Sequence, residues 1–302
     1  MVAVLKGRAE EHVLSRIKQL LCAMWITFAI TGPVRAAFEI VDGGAYAMSM
    51  GGALSAEIGS AETIWFNPAA SAKLNVPHAT STYGTLYSGL EDSPVVHTGA
   101  IAWPVKSVTL QAGYHTLRLD PWSEMSGLVG VAVVLHPRVS FGGAVRVNAW
   151  NSGRYGNQSW LGSLGLLYEV GWIAPSTYMR LSLVSANLTG WYSAVGTGRA
   201  TGQPGRSYTA GAQLIGRGKK VSLDVEHDMD LWDLRAGYEL DARWGLHFRT
   251  GVGIHVDDTV DRTWHVGMGY EWTDYHFDYA FTRSADIASF GATHRLGIGR
   301  FF

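Results

Sequence analysis

Beyond residue 77, apolar and polar positions alternate with a period of two. Val221, Leu223 and Val225 stand against Ser222, Asp224, Glu226 and Asp228. Trp232, Leu234, Ala236, Tyr238 and Leu240 stand against Asp233, Arg235, Gly237 and Glu239. Leu246, Phe248, Val252, Ile254 and Val256 face away from His247, Arg249, Gly251, Gly253 and His255. Trp264, Val266, Met268, Tyr270 and Trp272 oppose His265, Gly267, Gly269 and Glu271, and Tyr275, Phe277, Tyr279 and Phe281 oppose His276, Asp278 and Thr282. Successive strand side chains point to opposite sides, so each run carries one apolar face and one polar or glycine face. A soluble β-sandwich also alternates, but its wet face favours Thr, Lys and Glu. Here glycine recurs on the polar face and aromatics mark strand ends. The pattern predicts an all-β fold, a transmembrane antiparallel β-barrel.

Strands are predicted over 78–89, 95–105, 108–119, 126–136, 138–150, 159–171, 177–188, 205–217, 219–228, 231–240, 243–256, 261–272, 274–283 and 289–302, which makes about fourteen. Connections after even strands are short, such as Lys106-Ser107 and Asp241-Ala242, and Trp172–Ser176 is the longest of them. Those after odd strands include two long ones, 151–158 and 189–204. Outer-membrane barrels divide their connections in this way, with short periplasmic turns and longer outer loops. Trp103, Trp150, Trp160, Trp172, Trp244, Trp264 and Trp272 fall near strand ends, as interfacial girdles require. The stretch Ser289–Phe302 closes on an aromatic strand. A free edge there would invite aggregation, and pairing of last strand with first removes it. Leu296, Ile298 and Phe302 share its apolar face and suit lipid contact and recognition by the barrel-assembly machinery.

Composition sharpens this reading. Charged residues make up 16% of the chain, below the roughly 25% of ordinary soluble domains. A net charge of −1 offers no surface for nucleic acid. No run of about 18 apolar residues is present to form a transmembrane helix, so a membrane-spanning form must be a closed barrel.

Residues 1–36 read as a secretory signal peptide. Lys6, Arg8, Arg16 and Lys18 form a basic region, Leu20–Ile30 an apolar one, and Pro33-Val34-Arg35-Ala36 a cleavage site before or after Ala37. Glu10 and Glu11 are unusual within such a basic region. Cys22, the only cysteine, lies in the apolar region, so the mature chain has neither disulfides nor thiolate sites. The expected location is the bacterial outer membrane. Residues 37–76 follow, rich in small residues and without strand alternation, and 77–302 form the barrel.

One part of residues 37–76 carries a resemblance. Gly44-Ala45-Tyr46-Ala47-Met48-Ser49-Met50-Gly51-Gly52-Ala53 precedes Ser60-Ala61-Glu62-Thr63-Ile64-Trp65-Phe66-Asn67-Pro68-Ala69. This resembles the mature N-terminus of the PorV/PorQ family of outer-membrane barrels, related to the FadL-type long-chain fatty acid transporters. Thr293–Gly299 and Tyr279-Ala280-Phe281 resemble the family's last two strands. The resemblance implies a fourteen-stranded barrel whose N-terminal segment folds inward as a lumenal hatch. Its motif residues here are Met50, Gly51, Gly52, Ala53, Trp65, Asn67, Pro68 and Ala69. Two positions depart from the family. Arg300 replaces an apolar residue near the rim, where it can snorkel, and His294 falls on the lipid side, which predicts a bulge or register change.

The polar face gathers Asp224, Glu226, Asp233, Arg235, His247, Arg249, His265, Glu271 and Asp278 as a lumen wall. Such sets can serve acid–base chemistry or metals, but alternation alone places them together in any barrel. No Gly-x-Ser-x-Gly elbow, Walker loop or zinc spacing occurs. The expectation is a non-enzyme with no catalytic residues, no metal and no cofactor. Strand 126–136 is apolar on both faces (Leu128, Val129, Val131, Ala132, Val133, Val134, Leu135), which suits contact with the hatch or with a hydrophobic ligand. The resemblance favours a secretion-associated, type IX-like barrel with secreted proteins as partners. The hatch and the apolar strand also admit FadL-like passive passage of hydrophobic small molecules, and a structural role stands beside both. Outer-membrane lipid is a partner under every reading.

Overall fold

The computed structural model describes residues 43–302 apart from 154, 189, 196–204, 229–230, 257–259 and 286. The signal-peptide reading, with Cys22, therefore lies outside the described residues. Fifteen strand segments follow one another: β1 (His78–Thr85), β2 (Val95–Val105), β3 (Val108–Leu119), β4 (Trp122–His136), β5 (Val139–Ser152), β6 (Tyr155–Ala174), β7 (Thr177–Ala186), β8 (Gly190–Val195), β9 (Ser207–Gly216), β10 (Lys219–Asp228), β11 (Leu231–Asp241), β12 (Leu246–Val256), β13 (Val260–Trp272), β14 (Tyr275–Ser284) and β15 (Thr293–Phe301). Chain neighbours pair antiparallel except at β8, which pairs with β6 while β7 pairs with β9, and β1 pairs with β15, His78 opposite Phe301. β7 and β8 lie end to end along β6. They are two pieces of one strand, so the sheet closes as a barrel of fourteen. Closure of β1 on β15 pairs the first strand with the last and removes the edge that each would otherwise present.

The faces follow the alternation. Outward residues such as Leu110, Val129, Trp172, Phe248, Val266 and Leu296 are exposed, whereas inward Ala102, Ser126, Gln213 and His265 are buried. β15 keeps an unbroken register against β14 from Thr293 to Arg300. The bulge expected at His294 is absent. His294 faces outward, and its Nδ1 pairs with the Tyr279 hydroxyl at 2.8 Å, so the ring is satisfied without a register change. The Arg300 guanidinium lies 5.1 Å from the Tyr275 ring centroid and 4.9 Å from that of Phe302. Phe302 donates its backbone N–H to the Pro77 carbonyl at 3.0 Å.

The turns at the end where β1 starts and β15 finishes are tight, here called the lower end. Arg217 and Gly218 both take positive φ, as a two-residue hairpin turn requires. At the upper end, the long loop expected over 151–158 is strand instead. β5 runs to Ser152 and β6 starts at Tyr155, because Trp150 and Asn157, like Asn148 and Ser159, pair across the hairpin. Two described upper loops are longer and interlock. The Gly89 N–H donates to the Phe290 carbonyl at 2.9 Å and the Ser88 N–H to that of Ala292 at 2.8 Å.

Residues 43–77 run inside the barrel. The segment contains a short helix, α1 (Ala45–Ser49), and 3-10 turns at Ala61–Trp65 and Ala70–Lys73. Ser60 caps the first of these turns, its Oγ accepting the Glu62 N–H at 3.2 Å. Ala61, Ile64, Trp65 and Leu74 pack on inward Ala100, Ala102, Leu128 and Ala144. Of the two uses considered for the apolar β4 strand, Leu128 therefore serves contact with the inner segment. The small residues of the segment let its backbone approach the wall where the wall itself is glycine. A side chain on Gly251 would lie 2.6 Å from the Met50 carbonyl carbon and 2.7 Å from the Gly51 Cα. Gly251 pairs with Gly237 across β11–β12, so two glycines make the dent.

Candidate ligand cavity

Above the inner segment, the barrel encloses a cavity of about 580 Å³. Met48, Gly51, Gly52, Trp65 and Phe66 form its floor. The motif residues place this floor. Met50 is fully buried and packs with Tyr46, Ala47 and Leu54. Gly51 and Gly52 take φ of 66° and 75°, a left-handed turn that suits glycine. Asn67, also fully buried, donates from Nδ2 to the Ser55 carbonyl at 2.7 Å and accepts the Ala69 N–H at 2.9 Å. Pro68 offers its carbonyl to Gln111 Nε2 at 2.6 Å.

The polar wall residues expected from sequence divide into three groups. Asp224, Glu226, Asp233, Arg235 and His265 line the cavity. Asp224 accepts from the backbone N–H of Ser55 at 2.9 Å and from its Oγ at 2.6 Å. Glu226 is ion-paired with Arg235, and Asp233 pairs with His255 Nδ1 at 2.5 Å. Asp261, also on the wall, accepts from Ser284 Oγ at 2.9 Å. His265 meets the hydroxyls of Thr282 and Thr263 at 3.0 and 3.1 Å.

Arg249 and Asp278 lie lower, against α1. Arg249 donates from Nε to Glu239 and from Nη1 to Asp278, each at 2.5 Å, and its guanidinium sits 4.6 Å from the Tyr46 ring centroid. Asp278 accepts from His276 Nδ1 at 2.8 Å. His276 Nε2 meets His78 Nε2 at 2.7 Å, and His78 Nδ1 accepts the Ala61 N–H at 2.8 Å. This tautomer chain ties the inner segment to the lower wall. His247 and Glu271 form a third group at the lower rim, where His247 bridges Asp241 at 2.7 Å and Glu271 at 3.4 Å. Glu239, Asp241 and His247 hold one ligand atom each within 4.8 Å of one another. Glu239 is already neutralised by Lys220 at 2.8 Å and by Arg249, so this group is an ion-pair cluster and offers a poor cation site.

Sequence reading missed Glu62. It is buried, accepts the Ala47 N–H on Oε2 at 3.1 Å, and its carboxyl is pushed up to about 7, first by burial and then by the Asp278 carboxylate. The folded value stands above the unfolded one, so the fold favours the protonated form. Its stabilising effect is full at low pH and is lost as pH rises from the unfolded value through about 7. Glu62→Gln keeps the shape without the charge. We expect its thermal midpoint in detergent to be flat between pH 5 and 8 while that of the wild type falls. Parallel pH profiles for the two proteins would refute the assignment. Arg146 was missed as well. Its place between Val145 and Val147 on an alternating strand was the available signal.

No family model and no curated protein matches the sequence. The fold, in contrast, has close counterparts among solved structures. TodX, a toluene transporter of Pseudomonas putida, superposes with a TM-score of 0.64 at 11% identity, covering 87% of this chain and 99% of its own. TbuX, a toluene transporter of Ralstonia pickettii, gives 0.62 at 13%, covering 88% and 100%. A FadL homologue of Pseudomonas aeruginosa gives 0.57 at 9%, covering 88% and 99%. These neighbours are transport channels of the FadL type, and the chain shares their outer-membrane β-barrel fold.

Proposed function

We propose that the protein is a passive, non-enzymatic channel of the bacterial outer membrane for small molecules with an apolar body. The observation that carries this reading is the cavity above the inner segment, floored by Met48, Trp65 and Phe66, in a barrel of FadL-type fold. The outward apolar belt meets lipid, with Trp172 and Trp244 exposed at the lower rim and Arg300 reaching toward headgroups. Residues 43–77 act as the hatch, and a solute passes when part of it shifts. The secretion-associated reading rests on the N-terminal motif and gains nothing from the structural neighbours, which are channels.

Proteoliposomes loaded with the purified barrel test the reading. Toluene and benzyl alcohol should equilibrate at least about tenfold faster than across protein-free vesicles of the same lipid. Equal rates would sink the transport reading and return attention to protein partners.

A further inference from the structure

The two faces of the barrel differ in charge as well as in hydropathy. Every acidic residue of the described strands belongs to an inward row, Asp224, Asp261 and Asp278 among them. On the outward face two cations stand together at the upper end. Arg262 on β13 and Arg283 on β14 are both exposed. Trp264 faces Arg283 directly across the ladder, and Arg262 is the next outward residue above Trp264 on its own strand. The arginines are therefore diagonal neighbours, within reach of one another's side chains. Neither forms an ion pair with a described residue. Asp261, beside Arg262 in sequence, lines the cavity and accepts from Ser284 Oγ at 2.9 Å. The sequence adds Asp257, Asp258 and Asp286 near this end, outside the described residues. Depth decides what meets the pair. Tyr275 opens β14 at the lower rim, beneath the Arg300 guanidinium. From there to Arg283 the strand climbs roughly 20 Å at ordinary rise and tilt, most of the roughly 25 Å of an outer-membrane apolar band. The arginines thus stand at the upper lipid–water boundary, beside Trp264, which is 59% exposed. Below them the outward face is apolar, with Val266 and Met268 exposed.

Resting on the outer-membrane placement proposed above, we infer that Arg262, Arg283 and Trp264 form a site on the lipid-facing wall for a phosphorylated glycolipid of the outer leaflet. Two guanidinium forks hold its phosphate through charge-assisted hydrogen bonds. Its sugar lies against Trp264, and its acyl chains run down over Val266 and Met268. Close like charges on one face of a ladder are unfavourable, and a bound phosphate offsets that repulsion. Basic clusters at a membrane boundary attract anionic headgroups in the same way.

The probes are bisphosphorylated lipid A, dephosphorylated lipid A and phosphatidylglycerol, each added to the purified barrel in mild detergent, with bound lipid counted by native mass spectrometry. We expect bisphosphorylated lipid A to be retained at least about tenfold more than either of the others. The double change Arg262→Gln and Arg283→Gln should erase this preference and leave toluene flux unchanged, because neither residue lines the cavity. Arg262→Lys with Arg283→Lys keeps the charge without the forks and should retain part of it. Arg118→Gln is the control. Arg118 is exposed at the upper end of β3, with no arginine on β2 or β4 beside it, and its loss should leave the preference intact. Equal retention of the three lipids by the wild type overturns the inference and leaves the channel reading standing. A loss in Arg118→Gln as large as in the double glutamine variant marks general charge attraction and overturns it as well. A preference that survives in the double glutamine variant does the same, and a lowered thermal midpoint there would assign the arginines to pairing within the protein. Recovery of the protein outside the outer-membrane fraction overturns the placement, and the inference with it.

Discussion

Replacing Gly251 with leucine is expected to free the inner segment while the barrel stays closed. The physical reason is contact distance. The Cβ alone would stand 2.6 Å from the Met50 carbonyl carbon, inside any real contact, and the facing Gly237 leaves the backbone of Met50 and Gly51 as what must move. Overpacking of a tight core costs about 1–3 kcal/mol. Most of that cost falls on the segment, because the strand ladders on both sides of Gly251 remain intact. Two readouts follow. Limited proteolysis should cut between residues 43 and 77 in the variant and spare the wild type. Flux of a small neutral sugar should rise several-fold as the lumen opens. A protected segment with unchanged sugar flux would show that the glycine dent does not hold the segment in place. Because Gly251 keeps its ladder partners Gly237 and His265 whatever its side chain, failure of the barrel itself to form is not the expected outcome.

The second large effect is at Arg249. This buried guanidinium neutralises two buried carboxylates, Glu239 and Asp278, and covers the Tyr46 ring of α1. Arg249→Met removes the cation and leaves both acids in a dry site. Breaking one side of a buried ion pair costs about 3–5 kcal/mol. Lys220 still reaches Glu239 at 2.8 Å, so the larger part of the loss should be felt at Asp278. A marked fall in the thermal midpoint is expected, and the triple change Arg249→Met, Glu239→Gln and Asp278→Asn should recover most of it. If the triple variant were no more stable than the single one, packing over Tyr46, and not charge, would be the contribution of Arg249. The tie of Asp278 through His276 and His78 to the Ala61 N–H implies that proteolysis of the inner segment should accelerate in the single variant.

Much of this architecture was legible before the fold was known. Val221 through Asp228 and Trp264 through Glu271 alternate because each residue faces either the outside or the interior. A period of two therefore states the face of every residue it covers. The same logic placed Leu296, Ile298 and Phe302 outside, and Asp224 and His265 inside. Two local expectations failed for a common reason. The loop at 151–158 was inferred from a gap between two predicted strands, and the bulge at His294 from one polar residue on the lipid side. Cross-strand partners decided both, through the Asn148–Ser159 pairing and the Tyr279 hydroxyl.

Periodicity names a face but never a neighbour. Which inward residues meet depends on the stagger of a closed sheet and on how the inner segment lies in it, and both are long-range quantities. Ser55 reaches Asp224 across 169 residues and His78 reaches His276 across 198. No local pattern carries those pairings. The sequence by itself determined that strands would form, where they would turn and which side of each would be apolar, because side-chain alternation and turn chemistry act over a few residues. Only the tertiary structure decided that Ser55 would hold Asp224 while Arg146 would lie between Leu128 and Leu161, because barrel closure alone selects the row in which a residue sits.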